Sequence, residues 1–151
     1  NYPFFDDDGK GKFNLKTADT RSFGGFLNML FHSGPYGVFY GDVTFTDTRD
    51  TSNNYIPYSP ALVANLSYGY SITPKFYAES RLFFASESFA DLVNSKKINN
   101  FIDVGLKLTY RYASKMDVYA EVNNIINNNN YFWYGYKERP LDVSAGIIFT
   151  F

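Results

Sequence analysis

The chain has no cysteine, one histidine and one tryptophan in 151 residues. Without cysteine there is no disulfide framework, no thiol nucleophile and no cysteine-ligated metal. No run of 18 or more apolar residues occurs, so no segment can cross a bilayer as a helix. Charge of neither sign dominates: 14 Lys and Arg face 15 Asp and Glu, scattered along the chain, which leaves no footprint for nucleic acid. There is no glycine-rich phosphate loop and no zinc-ligand spacing. No signal peptide is visible at Asn1-Tyr-Pro-Phe-Phe, which reads as a processed chain or a piece of one. What the chain has in excess is aromatic: 14 Tyr and 16 Phe bring the aromatic content to 21%. A soluble core does not need so many, whereas a transmembrane β-barrel sets aromatic girdles at both interfaces.

The apolar residues recur with a period of two. In the last eleven residues, Val143, Ala145, Ile147, Phe149 and Phe151 alternate with Asp142, Ser144, Gly146 and Thr150, and only Ile148 breaks the pattern. Ile102, Val104, Leu106, Leu108, Tyr110 and Tyr112 alternate in the same way with Asp103, Gly105, Lys107, Thr109 and Arg111. Such alternation marks strands with one apolar and one polar face. Further strands are expected from about Thr20, Tyr36, Leu62, Phe76 and Met116, seven in all, with a doubtful eighth over residues 10–17. Seven charged residues in four of them, Glu79, Arg81, Asp103, Lys107, Arg111, Asp117 and Glu121, all fall on the less apolar parity. A sandwich also keeps charge off its core face, so this supports alternation more than lipid. The turns discriminate better. Short ones centre on Gly34, Pro74 and Ser114, and between them lie long loops at 47–59, 86–100 and 124–140. Short turns on one side and long loops on the other are the pattern of an up-and-down antiparallel transmembrane barrel, whereas a propeller blade would need four short strands per repeat. The expected organisation is an extracellular loop or partial strand over 1–19 and a transmembrane barrel segment over 20–151. Its long loops face outside, and Tyr68, Tyr70, Tyr110, Tyr112 and Phe151 sit near the inner interface.

Candidate chemistry is sparse. His32 stands beside Ser33, but neighbours in a strand point to opposite faces and no acid lies near, so no Ser-His-acid triad is expected. Asp6, Asp8 and Gly11 fit the first, third and turn positions of a calcium loop, which then fails at Lys10 and Thr17; a solvated loop is the better reading. The seven charged strand residues read as a lumenal ion-pair network rather than a glycosidase-like acid pair. Tyr131, Trp133, Tyr134 and Tyr136, in the last long loop, are candidate ligand or partner contacts, against the plainer reading of packing at the rim. No catalytic residue, metal or cofactor is expected.

From Asp19 to Phe151 the chain resembles the carboxyl-terminal barrel portion of a TonB-dependent outer-membrane receptor. Four stretches carry the resemblance: Arg21-Ser-Phe-Gly24, where Phe26 replaces the usual acid, Ile56-Pro-Tyr-Ser-Pro60, Tyr119-Ala-Glu-Val-Asn-Asn-Ile-Ile-Asn127, and Glu138-Arg-Pro140 leading into the terminal strand. The resemblance implies a non-catalytic barrel wall of an importer in a Gram-negative outer membrane, with lipid and the remaining strands or another subunit as partners. It implies TonB only if a plug lies elsewhere, and it makes Phe151 a signal for the barrel-insertion machinery. The alternatives are a self-contained eight-stranded barrel serving as a structural, adhesion or complex subunit, and a lipid-modifying barrel enzyme.

Overall fold

The computed structural model describes residues 2–7, 10 and 12–151. Among these the chain forms thirteen strands: β1 (Tyr2–Asp7), β2 (Phe13–Ala18), β3 (Thr20–His32), β4 (Val38–Asp50), β5 (Leu62–Thr73), β6 (Phe76–Ala85), β7 (Ser88–Phe89), β8 (Lys97–Ile98), β9 (Phe101–Ala113), β10 (Met116–Asn123), β11 (Tyr131–Trp133), β12 (Tyr136–Lys137) and β13 (Asp142–Phe149). Seven of them make one antiparallel sheet in the order β13-β10-β9-β6-β5-β4-β3, an up-and-down meander. The other six pair as hairpins, β1-β2, β7-β8 and β11-β12.

Two expectations need correction. Residues 10–17, the doubtful eighth strand, do not close the sheet: β2 pairs with β1, Tyr2 opposite Ala18 through Asp7 opposite Phe13. The alternation over 13–15 was too short to reveal a hairpin whose other arm, Tyr-Pro-Phe-Phe-Asp-Asp, has no period of two. The first long loop also starts later than expected, because β4 stays paired with β3 as far as Asp50 opposite Thr20. Asp47 and Arg49 read as loop residues because they are charged, yet they extend the strand.

The short turns need little chain. A single 3-10 turn at Gly34–Tyr36 joins β3 to β4 and ends at Gly37, whose φ of +109° favours glycine. Between β5 and β6, the Thr73 hydroxyl accepts the Phe76 amide at 3.1 Å. Two residues, Ser114 and Lys115, join β9 to β10.

The register puts the expected residues on common faces. Leu66 stands opposite Leu82, Ala64 opposite Phe84, Ala78 opposite Leu108 and Leu82 opposite Val104. On the other face Glu79 stands opposite Lys107, and Lys107 opposite Glu121. Ile148, the break in the terminal pattern, falls on this polar face opposite Asp117. The apolar face is bare: Phe23 is 74% and Ile147 58% exposed. The buried apolar residues instead lie mostly in or beside the long loops, at Ile56, Ala85, Ala90, Ile98 and Phe101. A soluble sheet protein would bury its strands' apolar face and leave its loops open; this distribution is the reverse, as expected of a sheet solvated by lipid.

Candidate functional site

A cavity of about 330 Å³ on the polar face draws its lining from β4, β5, β6, β9 and β10, including Tyr40, Asn65, Ser67, Arg81, Asp103 and Asn123. One cavity reached by five neighbouring strands makes this the concave side of the sheet.

Within it the charged residues divide. The Arg81 guanidinium crosses β9 to pair with Glu121, and its Nε lies 3.8 Å from Glu79. Gly105 stands opposite Arg81 and puts no side chain in that path. Lys107, between Glu79 and Glu121 in register, holds its ammonium 4.7 Å from the Tyr119 ring centroid. These four charges form one cluster. Arg111 and Asp117 pair separately at 3.5 Å, nearer the short-turn end. Asp103 is in neither group: its carboxylate accepts the Asn124 amide at 2.8 Å and fastens the start of the last loop.

Tyrosines fill the space the glycines leave. A Cβ at Gly146 would lie 2.7 Å from the Tyr119 hydroxyl, and the two residues are directly paired. Tyr77 covers Gly69 in the same way. The inward row of small residues is thus half of an interlock of aromatic ring over bare backbone.

The long-loop end is one hydrogen-bonded layer, and asparagine builds much of it. Asn94 receives the Tyr55 amide at 2.7 Å and donates to the Tyr55 carbonyl at 2.9 Å. Asn130, only 2% exposed, accepts the Ile102 amide at 3.0 Å and donates to the Ile102 carbonyl at 2.6 Å. In each case a side-chain amide copies a peptide group and pairs a loop with a distant backbone. Asn124 links Asn128 and Arg139 through their carbonyls. Its φ of +48°, like +50° at Asn127 and +58° at Asn94, is a conformation that asparagine tolerates better than most residues. The low-complexity run at 127–130 is therefore structural. Asp91 caps its own turn, taking the Ser95 hydroxyl at 2.6 Å and the Lys96 amide at 2.8 Å. Burial alone would raise this carboxyl, but hydrogen bonds from Ser95 and Lys96 outweigh it and hold the group below the usual aspartate value.

Aromatic rings tie the same layer together. Phe132 stacks on Phe101 at 4.1 Å and meets Phe83 at 5.8 Å. Phe83 stands opposite Asp103 on the polar parity, so the last loop leans over the concave face. Trp133 meets Tyr58 at 4.6 Å, Phe13 at 5.8 Å and Phe5 at 6.4 Å. Of the four candidate contact residues, then, Trp133 is engaged within the chain. Tyr131 and Tyr134 line a 150 Å³ cavity with Lys97, Ile98, Asn99 and Gly135. The Lys96 ammonium lies 5.6 Å from the Tyr134 ring, and Tyr136 is exposed. Phe132, Asn94 and Asn130 were missed as individual residues; the aromatic run was visible, but nothing local distinguishes an asparagine that reaches another loop.

The other candidates are separated. The Ser33 hydroxyl donates to the Gly37 carbonyl at 3.0 Å and so serves the turn. Asp6 pairs with Lys16, while Asp8 and Gly11 of the calcium-loop pattern lie outside the described residues. Among the described residues no three His, Asp or Glu side chains gather as metal ligands.

A seven-stranded meander with one bare apolar face, one charged concave face, tight turns at one end and packed loops at the other has the fold of a barrel portion of the TonB-dependent receptors. The siderophore receptor PiuA from Acinetobacter baumannii matches with a TM-score of 0.80 at 14% identity, over 86% of this chain and 22% of its own. The copper transporter OprC matches at 0.75 and 16%, over 99% of this chain and 27% of its own. The ferric yersiniabactin uptake receptor FyuA from Yersinia pestis matches at 0.72 and 13%, over 87% and 24%. This chain thus spans about a quarter of the length of the receptors it resembles. No family model matches the sequence.

Proposed function

We propose that these residues form part of the barrel wall of an importing receptor in a Gram-negative outer membrane, with structural rather than catalytic chemistry. The observation that carries this is the sheet's inversion, apolar on the bare face and charged on the concave one, with both edge strands, β3 and β13, paired on one side only. An unpaired edge is untenable in hydrocarbon, where each unsatisfied backbone group costs several kcal/mol, so further strands close the sheet. Residues 20–151 are the membrane-spanning unit, and the long loops face outward. The cluster of Glu79, Arg81, Lys107 and Glu121 with the pair Arg111 and Asp117 faces the lumen, where a plug elsewhere in the protein would meet it and connect the receptor to TonB. Tyr131, Tyr134 and Tyr136 offer a ligand or partner its aromatic contacts on the outer loops, held in place by Trp133. Phe151, fully exposed beyond β13, is the insertion signal.

The topology is tested on intact cells with a membrane-impermeant maleimide. A cysteine at the exposed Asn129 is expected to label and one at Ser114 is not; the opposite pattern would reject the orientation and with it the outward-facing loops.

A further inference from the structure

The short-turn end carries a charge imbalance that a barrel wall does not need. From Ser71 to Ala78 and from Thr109 to Val118 the chain brings three cations, Lys75, Arg111 and Lys115, against one carboxylate, Asp117. The neighbouring turn from Ser33 to Gly37 adds no charge. A cavity of about 190 Å³ opens here, and Lys75 and Arg111 both line it with Ser71, Thr73, Thr109 and Asp117. It lies on the concave side, where Ser71 stands opposite Tyr77, Tyr77 opposite Thr109 and Arg111 opposite Asp117.

The backbone holds the two cations together. The Thr73 hydroxyl oxygen accepts the amides of Lys75 and Phe76 at 3.3 and 3.1 Å. The Lys75 carbonyl accepts the Arg111 amide at 2.8 Å, so Lys75 cannot leave the side of β9 without breaking the turn. Among the described residues its ammonium has no carboxylate partner. The Arg111 guanidinium approaches Asp117 through Nε, no closer than 3.5 Å, and its side chain is 62% exposed. Two cations share the cavity with a single carboxylate, and like charges so placed favour the entry of a further anion.

We infer that this cavity binds a phosphate group. Arg111 supplies a planar fork of N–H donors and Lys75 a point charge, while the hydroxyls of Ser71 and Thr109 reach the remaining oxygens. A tetrahedral oxyanion takes donors from several directions at once, which matches a cavity walled by a turn on one side and strand ends on the other. Free inorganic phosphate and the headgroup phosphate of a lipid share this chemistry. The site is built by this chain alone and does not depend on which side of a membrane the turns face, so its failure is separable from failure of the proposed orientation.

The test uses the full-length protein in detergent micelles and phosphate-free buffer. Acylation of Lys75 and Lys115 by a small amine reagent is followed by peptide mass spectrometry, with inorganic phosphate titrated against sodium chloride of equal ionic strength. Phosphate is expected to slow Lys75 saturably, by about fivefold, and to change Lys115, which lies outside the cavity, by less than about twofold. Arg111→Gln is expected to abolish the protection of Lys75. Asp117→Asn removes the competing carboxylate and is expected to lower the half-protecting concentration about threefold, whereas loss of a merely structural ion pair would raise it. Phospholipid nanodiscs separate the two sources: protection of Lys75 without added phosphate identifies a lipid headgroup, and protection only on its addition identifies free phosphate. Equal slowing of Lys75 and Lys115, or protection that survives Arg111→Gln, would reveal screening without a site and overturn the proposal. So would a Lys75 that is slow in micelles from the outset and indifferent to phosphate, because a carboxylate elsewhere in the protein would then fill the cavity. Heat-modified mobility on gels reports whether each variant is folded; if Arg111→Gln does not fold, Asp117→Asn decides, and unchanged or weaker protection there rejects the site.

Discussion

A buried asparagine is costly unless all its hydrogen-bonding groups are satisfied, and Asn130 is nearly enclosed between a loop and β9. Its amide holds both peptide groups of Ile102, in place of the partner strand that β9 lacks at that height. Asn130→Leu keeps the volume but strands a buried donor and a buried acceptor. The expected cost is about 2–4 kcal/mol, read as a lower unfolding midpoint and faster exchange at the Ile102 amide. Asp91 acts by charge. Its carboxyl is held below the ordinary value, so its contribution is complete above the usual aspartate range near pH 4 and is lost as pH falls through the lowered folded value. Protection of the Ser95 and Lys96 amides, relative to the intrinsic exchange rate at each pH, is expected to fall on acidification from about pH 5 to about pH 2. Asp91→Asn is expected to exchange faster at the start and to lose that pH dependence; an unchanged acid response in Asp91→Asn would assign it to another group.

The strands obey a simple rule that parity exposes. Leu106 and Thr109 belong to the same strand but to opposite faces, since Leu106 stands opposite Ser80 and Thr109 opposite Tyr77. An arginine at Leu106 would enter lipid at a cost of about 2–4 kcal/mol near the midplane, whereas one at Thr109 would enter a polar lumen. Unfolding by urea in phospholipid bilayers is expected to show Leu106→Arg destabilised by that amount and Thr109→Arg within about 1 kcal/mol of the parent. Equal effects at the two positions would mean that the faces are solvated alike. The same parity was readable in the sequence for β6, β9, β10 and β13, because charge is confined to one side of each, and for β5, where apolar residues alternate with Asn65, Ser67, Gly69 and Ser71. It was less readable in β3, where Phe26 and Leu30 put apolar side chains on both faces. The hairpins β7-β8 and β11-β12 are too short to show a period at all.

At the scale of the molecule, a sheet normally gains its stability from what covers its apolar face, and here much of that face stays exposed among the described residues. The tertiary contacts that bury side chains are gathered instead at the long-loop end, so this end is the rigid part of the protein that water sees. On the function proposed above, the sheet depends on lipid for one face and on further strands for its edges. Sequence alone determined the strand count of the sheet, its faces, its alternation of short and long connections and its barrel-type antiparallel fold, because a period of two is a local property written residue by residue. Only the tertiary structure decided that Phe13–Ala18 pairs with Tyr2–Asp7 rather than adding an eighth wall strand. It also decided that Arg81 reaches Glu121 across β9 while Asp103 serves a turn, and that Trp133 meets rings from three other segments. The contacts of Arg81 and Trp133 join residues about 40 to 130 positions apart, and no pattern within a strand records which distant loop will fold back to meet it.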